Sequence, residues 1–212
     1  MTLTKNEESV LNSKSNFKLI CGDRKTGKSF ACIAEVLSKA KQLKVGTVYY
    51  VVPAVVLLES KIAEFKEFLI TNRIPYSYVS EKALFLKIKK EFSFEIRFFT
   101  PIFYECVFPR GKKDVSLVVM EDVDLYSDRG NRRITGFLKE LYRHCNPELL
   151  VTMSNIATVS VTVSVDTTGA HSQKPIVKTY TKRTRLTALW EMAEKNPAWE
   201  TFIFSKKFGE TL

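Results

Sequence analysis

The sequence is short of several things. It has no apolar run approaching the ~18 to 20 residues that cross a bilayer. Met1 to Ser15 is polar, with Lys5, Glu7 and Glu8, and lacks the apolar stretch of a secretory signal. These two absences exclude a helical membrane span and point to a reducing cytosol without membrane association. Four cysteines and two histidines are all the soft ligands present. Cys21, Cys32, Cys106 and Cys145 are scattered amid apolar neighbours with no CxxC pair, which excludes a disulfide scaffold and a zinc site, so buried thiols are expected. No internal repeat, low-complexity tract or dividing linker occurs. Acid is scarce: 23 Asp and Glu face 33 Lys and Arg, a formal charge of +10. Such a surface gathers polyanions, of which nucleic acid is the commonest. At 212 residues the chain can bury roughly 70% of its unfolded surface without staples. The expected organisation is a flexible segment over 1–15 and one domain over 16–212.

Along that domain the pattern alternates. Phe17 to Cys21 is an apolar strand ending at Gly22, and Lys28 to Leu43 carries apolar residues at helical spacing (Phe30, Ile33, Val36, Leu37, Ala40). Thr47 to Val52 reads as a strand stopped by Pro53, and Val56 to Ile70 as a helix with a charged face. A strand (Tyr76 to Val79), a helix (Glu81 to Phe92), a strand (Glu95 to Phe99), a helical turn (Ile102 to Phe108) and a loop (Pro109 to Lys113) are expected next. Val115 to Met120 is a nearly continuous apolar run, as in a strand buried on both faces of a parallel sheet. A polar loop (Ser127 to Asn131), a helix (Arg132 to Cys145) and a buried strand (Leu149 to Met153) complete a doubly wound α/β pattern. Val159, Val161, Val163 and Val165 then alternate with polar residues, followed by Ile176 to Thr181. These predict an antiparallel β-hairpin over 156–185 that extends the same sheet. A helix (Leu186 to Lys195) and an aromatic tail (Trp199, Phe202, Phe204, Phe208) fill 186–212.

Between the first strand and helix lies Gly22-Asp23-Arg24-Lys25-Thr26-Gly27-Lys28-Ser29, a complete G-x-x-x-x-G-K-S phosphate loop. Its backbone N–H groups turn inward around a β-phosphate and the following helix presents its positive end to the same anion. Lys28 is expected to span the β- and γ-phosphates of ATP and the Ser29 hydroxyl to ligate Mg²⁺. The metal and the attacking water then require carboxylates at the tip of a buried strand, and Glu121 and Asp122 follow Val118-Val119-Met120 as a Walker B pair. The usual order is Asp then Glu. Here it is reversed, with Asp124 two residues on, so which of the three serves metal and which serves water stays open.

Arg24, inside the loop, is placed to neutralise transition-state charge in cis, or else is an exposed loop cation or pairs structurally with one of the acids. Ser154 and Asn155, at the end of the Leu149 to Met153 strand, are placed to sense the γ-phosphate, or simply mark a turn. Arg129, Arg132, Arg133 and Arg143 cluster around the helix between the acids and the Leu149 to Met153 strand. In a ring one of them, Arg143 by choice, would complete a neighbour's site in trans; otherwise they form a solvated face. Lys174, Lys178, Lys182, Arg183 and Arg185 suit phosphate contacts along a duplex as well as they suit ordinary surface charge.

Together these residues resemble the ATPase domain of viral DNA-packaging motors, the large terminase subunits and the encapsidation ATPases of phi29-like phages. Three segments carry the likeness: Asn16-Phe17 through Ala31 with its internal Arg24; Val115 to Asp122, preceded by Arg110-Gly111; and Leu141-Tyr142-Arg143 through Asn155. The resemblance implies a RecA-like P-loop ATPase fold and a homo-oligomeric ring on a viral portal and capsid. It also implies translocation of double-stranded DNA into the shell, in the host cell cytoplasm. Most terminases also carry a nuclease domain, for which the residues after 155 leave no room. The rival readings are a helicase-like ATPase domain, on the strength of Val51-Val52-Pro53-Ala54; a nucleotide-binding assembly switch with little turnover; and a small-molecule kinase.

Overall fold

A computed structural model describes residues 4–23, 25–80, 83–88, 91–101, 115–126, 128–154, 160–164, 177–181, 193 and 195–204. Among these, the strands are β1 (Phe17–Gly22), β2 (Gly46–Val51), β3 (Tyr76–Ser80), β4 (Ala83–Ile88), β5 (Glu91–Phe99), β6 (Val115–Met120), β7 (Glu148–Met153), β8 (Ser160–Ser164), β9 (Val177–Thr181) and β10 (Trp199–Phe204). The helices are α1 (Lys5–Asn12), α2 (Lys28–Leu43), α3 (Val55–Thr71) and α4 (Asp128–His144).

Eight strands form one sheet in the order β10-β1-β7-β6-β2-β5-β4-β3. The six strands from β10 to β5 run parallel, and β4 and β3 close the far edge as an antiparallel pair. The result is an α/β P-loop ATPase fold. Strand periodicity divides the core in two. Ile20, Val48, Tyr50, Ile96, Phe98, Val119 and Leu150 face α1, α2 and α3; Leu19, Cys21, Tyr49, Val51, Val118, Val151 and Met153 face α4. On the first face Tyr50, Phe65 and Phe98 form an aromatic cluster with centroids 5.1 to 5.5 Å apart. Truncating Phe65, which is fully buried, would remove a central part of that packing, a change of about 3–5 kcal/mol for a core phenylalanine.

Five expectations are corrected. The described residues of the expected 81–92 helix are strand instead: β4 and the start of β5 pair antiparallel there. The period-two run Phe92, Phe94, Ile96, Phe98 decides it, because a sheet partner rewards alternation that a helix would scatter over all faces. The N-terminal segment is not without structure, since Lys5–Asn12 forms α1. Thr4 and Glu7 form a reciprocal capping box that starts α1, and Val10 is fully buried. Residues 128–131 of the expected polar loop are the first turn of α4. The aromatic tail is an edge strand, since Trp199 to Phe204 pairs parallel with β1 along its whole length and buries Phe202 and Phe204. Finally, β8 and β9 do form an antiparallel hairpin, but as a two-stranded sheet of their own, because the main sheet ends at β10 and β3.

Cys21 and Cys32 are buried and Cys145 is half-buried, as free thiols. Burial pushes the Cys21 thiol up to about 12, so it stays protonated. The expected turn at 102–108, the loop at 109–113, Cys106 and most of the 186–195 helix lie outside the described residues. No helix is long and apolar enough to cross a membrane among the described residues.

Candidate active site

The phosphate loop leaves β1 at Gly22 and enters α2 at Lys28. Gly22 is obligatory for packing: a Cβ there would fall 2.4 Å from the carbonyl oxygen of Phe204 on β10. Gly27 is obligatory for conformation, with φ of +92°, and a Cβ there would also press on the Glu7 carboxylate at 2.8 Å. Helix α1 thus walls one side of the loop. Lys28 is buried, and its Nζ donates to the Gly22 and Asp23 carbonyls at 2.7 and 2.9 Å. The Thr26 hydroxyl donates to the Asp23 carbonyl at 2.8 Å. No side chain caps α2 at Gly27, so the first N–H groups of the helix face the loop and offer an anion site.

Two strands away the carboxylates emerge from β6. The order β1-β7-β6 sets β7 between the phosphate-loop strand and the acidic one. Glu121 is 4% exposed. Lys61, on α3, reaches its carboxylate at 3.0 Å and also contacts Glu64 at 2.6 Å. Burial raises the Glu121 pKa; the Lys61 ammonium, then the nearby Tyr50 and Ser29 hydroxyls, pull against it without cancelling it. Burial alone would depress Lys61, but Glu121 and Glu64 more than offset that and raise it.

Asp122 sits in the left-handed region, φ +43° and ψ +54°, unusual for a residue with a side chain. Its N–H donates to the Thr152 hydroxyl on β7 at 2.9 Å, and the Ser154 N–H donates to Asp124 Oδ1 at 3.1 Å. The acidic loop is therefore tied twice to the strand beside it. Strained backbone of this kind persists only when its surroundings hold it.

Of the sequence-predicted residues, Gly22, Asp23, Lys25, Thr26, Gly27, Lys28 and Ser29 form the loop and its entry into α2, and the Ser29 hydroxyl lies beside Glu121. Ser154 joins the acidic loop through its backbone. Arg24 and Asn155 lie outside the described residues, as do Lys174, Lys182, Arg183 and Arg185. Arg143 is placed elsewhere. It is 72% exposed, pairs with Glu140 at 2.8 Å, and stands in the last turn of a 17-residue helix that begins near Asp122. That helix is ~25 Å long, so Arg143 is at the far end of the sheet from the carboxylates of its own chain.

Sequence reasoning missed Lys61, Thr152 and Tyr50. Lys61 carried a signal, because it stands three after Leu58 and four before Phe65, on the buried seam of α3. A lysine on an apolar seam needs a buried partner. Thr152 is a fully buried hydroxyl within an otherwise apolar run, though nothing local named Asp122 as its donor.

The donor set fits a magnesium–nucleotide complex: an uncapped helix N-terminus, a buried lysine, and a hydroxyl beside a buried carboxylate. Magnesium keeps several waters and leans on substrate phosphates, so one hydroxyl and one or two carboxylates are enough protein ligands.

No protein-family model matches the sequence, and no curated protein matches it significantly. Solved structures do match the fold. The large terminase ATPase domain of Thermus phage P74-26 superposes with a TM-score of 0.56 over 96% of this chain and 81% of that domain, at 10% identity. The N-terminal domain of the DNA-packaging ATPase from bacteriophage phi29 gives 0.56 over 74% of this chain and 82% of that one, at 11% identity. The large terminase of a thermophilic bacteriophage, in complex with ADP, gives 0.55 over 72% of this chain at 11% identity. This chain has the fold of the packaging ATPases. It spans 39% of the length of that ADP-bound terminase.

Proposed function

We propose that the chain is an ATP-hydrolysing motor that moves double-stranded DNA during viral genome packaging, working as a homo-oligomeric ring at a portal. One observation carries the reading: a complete phosphate loop stands across β7 from a carboxylate pair, Glu121 buried and Asp122 half-buried, on a fold shared with packaging ATPases. Lys28 neutralises the β- and γ-phosphates of ATP, and the loop's inward N–H groups orient them. Glu121, near the Ser29 hydroxyl, is the proposed magnesium-side carboxylate. Asp122, half-buried and held in place by Thr152, is left to poise the attacking water. Lys61 positions Glu121 and favours its ionised form against the burial that opposes it. Arg24 is the proposed cis stabiliser of developing charge, and Arg143, too far from its own carboxylates, can act only on a neighbour's site. Ser154 and Asn155 form the link through which loss of the γ-phosphate reaches β7.

The test is steady-state ATP hydrolysis by the wild type and Lys28→Ala, with and without duplex DNA. The reading expects turnover that duplex DNA stimulates and that Lys28→Ala abolishes. Tight nucleotide binding without turnover under every condition would replace it with the assembly-switch reading.

A further inference from the structure

Helix α4 turns one face to the sheet and the opposite face to solvent. Ile134, Phe137 and Leu141 are buried against the sheet, Phe137 touching Tyr49 of β2 and Phe99 of β5. At 100° per residue, the positions opposite that seam are Arg132, Gly136, Lys139 and Arg143, with Arg129 beside them. All five are exposed. Arg143 pairs with Glu140, the one acid in the sequence between Arg129 and Arg143, whereas the side chains of Arg129, Arg132 and Lys139 make no ion pair or hydrogen bond among the described residues. Gly136 lies in the middle, and a Cβ there would meet nothing within 4 Å. No packing contact calls for the glycine, which an exposed helix disfavours against alanine. Its effect is to lower the surface between the cations, so that a backbone can approach the helix closely.

We propose that this face of α4 is a contact surface for the phosphate backbone of duplex DNA. The proposal rests on the DNA-motor reading and names where the partner touches. Charge complementarity selects the occupant. The stripe from Arg129 to Lys139 is ~15 Å long, the rise of about four phosphates along one strand, and its charge is all positive. Placement adds a consequence. The helix follows Glu121-Asp122 after one 3-10 turn and leads into β7, whose Thr152 and Ser154 hold Asp122 and Asp124. Force on the helix is delivered at both ends to the acidic loop.

The experiment measures binding of a short labelled duplex to the full chain by fluorescence anisotropy across a series of KCl concentrations. Each phosphate contact removed lowers the slope of log K against log salt by ~0.9. The Arg132→Gln/Lys139→Gln double variant should therefore flatten the slope by about 2, and Gly136→Glu should weaken binding several-fold with unchanged circular dichroism. Lys14→Gln/Lys41→Gln, altered at exposed positions away from α4, should keep the wild-type slope. A wild-type slope in the α4 double variant overturns the proposal. So does that slope combined with lost self-association in sedimentation, which would assign the face to a second copy. A wild type that binds no duplex at any salt overturns both the proposal and the DNA-motor reading.

Discussion

Two buried lysine–glutamate pairs stand at opposite ends of the same sheet. At the amino end Lys18 Nζ donates to Glu35 at 2.8 Å and to the Val10 carbonyl at 3.1 Å, joining β1, α2 and α1; both side chains are 4% exposed. At the carboxyl end Lys61 holds Glu121 at 3.0 Å, with side chains 11% and 5% exposed. Burial raises the carboxylate pKa in both. The chemistry is the same and the surroundings differ. Glu35 has one oxygen buried without a partner and no open phosphate cradle near it, whereas Glu121 lies beside Ser29 at the entry to α2. The first pair holds elements together. The second stores a carboxylate where a metal-bound phosphate would need one, and the sheet's polarity decides which is which.

That contrast can be broken, first and most strongly, at Lys18. Lys18→Met should cost ~3–5 kcal/mol, because Glu35 is left buried and unpaired; the Lys18→Met/Glu35→Leu double variant should recover most of it. Chemical denaturation measures both, and a mild single variant would dissolve the structural half of the comparison. Next, Glu121→Gln should reduce turnover at least ~100-fold at low magnesium, the scale of a lost metal contact, and excess magnesium should restore part of it. Its stability should change far less than that of Lys18→Met, since Lys61 keeps Glu64. Then comes pH. Lys61 holds the Glu121 pKa below what burial alone would make it, so Lys61→Met raises that pKa further and leaves less carboxylate near neutrality. The acid limb of kcat/KM should move to higher pH; an unmoved limb would make Lys61 merely structural. Smallest of all, Lys39→Met removes the partly exposed pair with Glu148 and should cost under ~1 kcal/mol.

How much of this was legible in the sequence depends on whether local pattern alone specified it. The run Gly22 to Ser29 announced its own conformation, because glycines at both ends and an uncapped helix start are local requirements. Val115 to Met120 announced a doubly buried strand for the same reason. The 81–92 region went wrong because its outcome rests on pairing with β5, a non-local partner. Trp199 to Phe204 looked like a tail because a parallel edge strand gains its meaning from β1, at the other end of the chain. The site shows the same division. Its loop and acids were legible as motifs, while Lys61 and Thr152 met Glu121 and Asp122 only through tertiary packing of α3 and β7.

The most direct measurement of the central claim is single-turnover ATP hydrolysis by wild type and Asp122→Asn, with nucleotide binding followed in parallel and duplex DNA present or absent. The account predicts DNA-stimulated hydrolysis in the wild type. In Asp122→Asn it predicts unimpaired magnesium-dependent nucleotide binding with the chemical step slowed ~100-fold or more. Hydrolysis by Asp122→Asn at the wild-type rate, or a wild type that binds ATP and never cleaves it, would contradict the account.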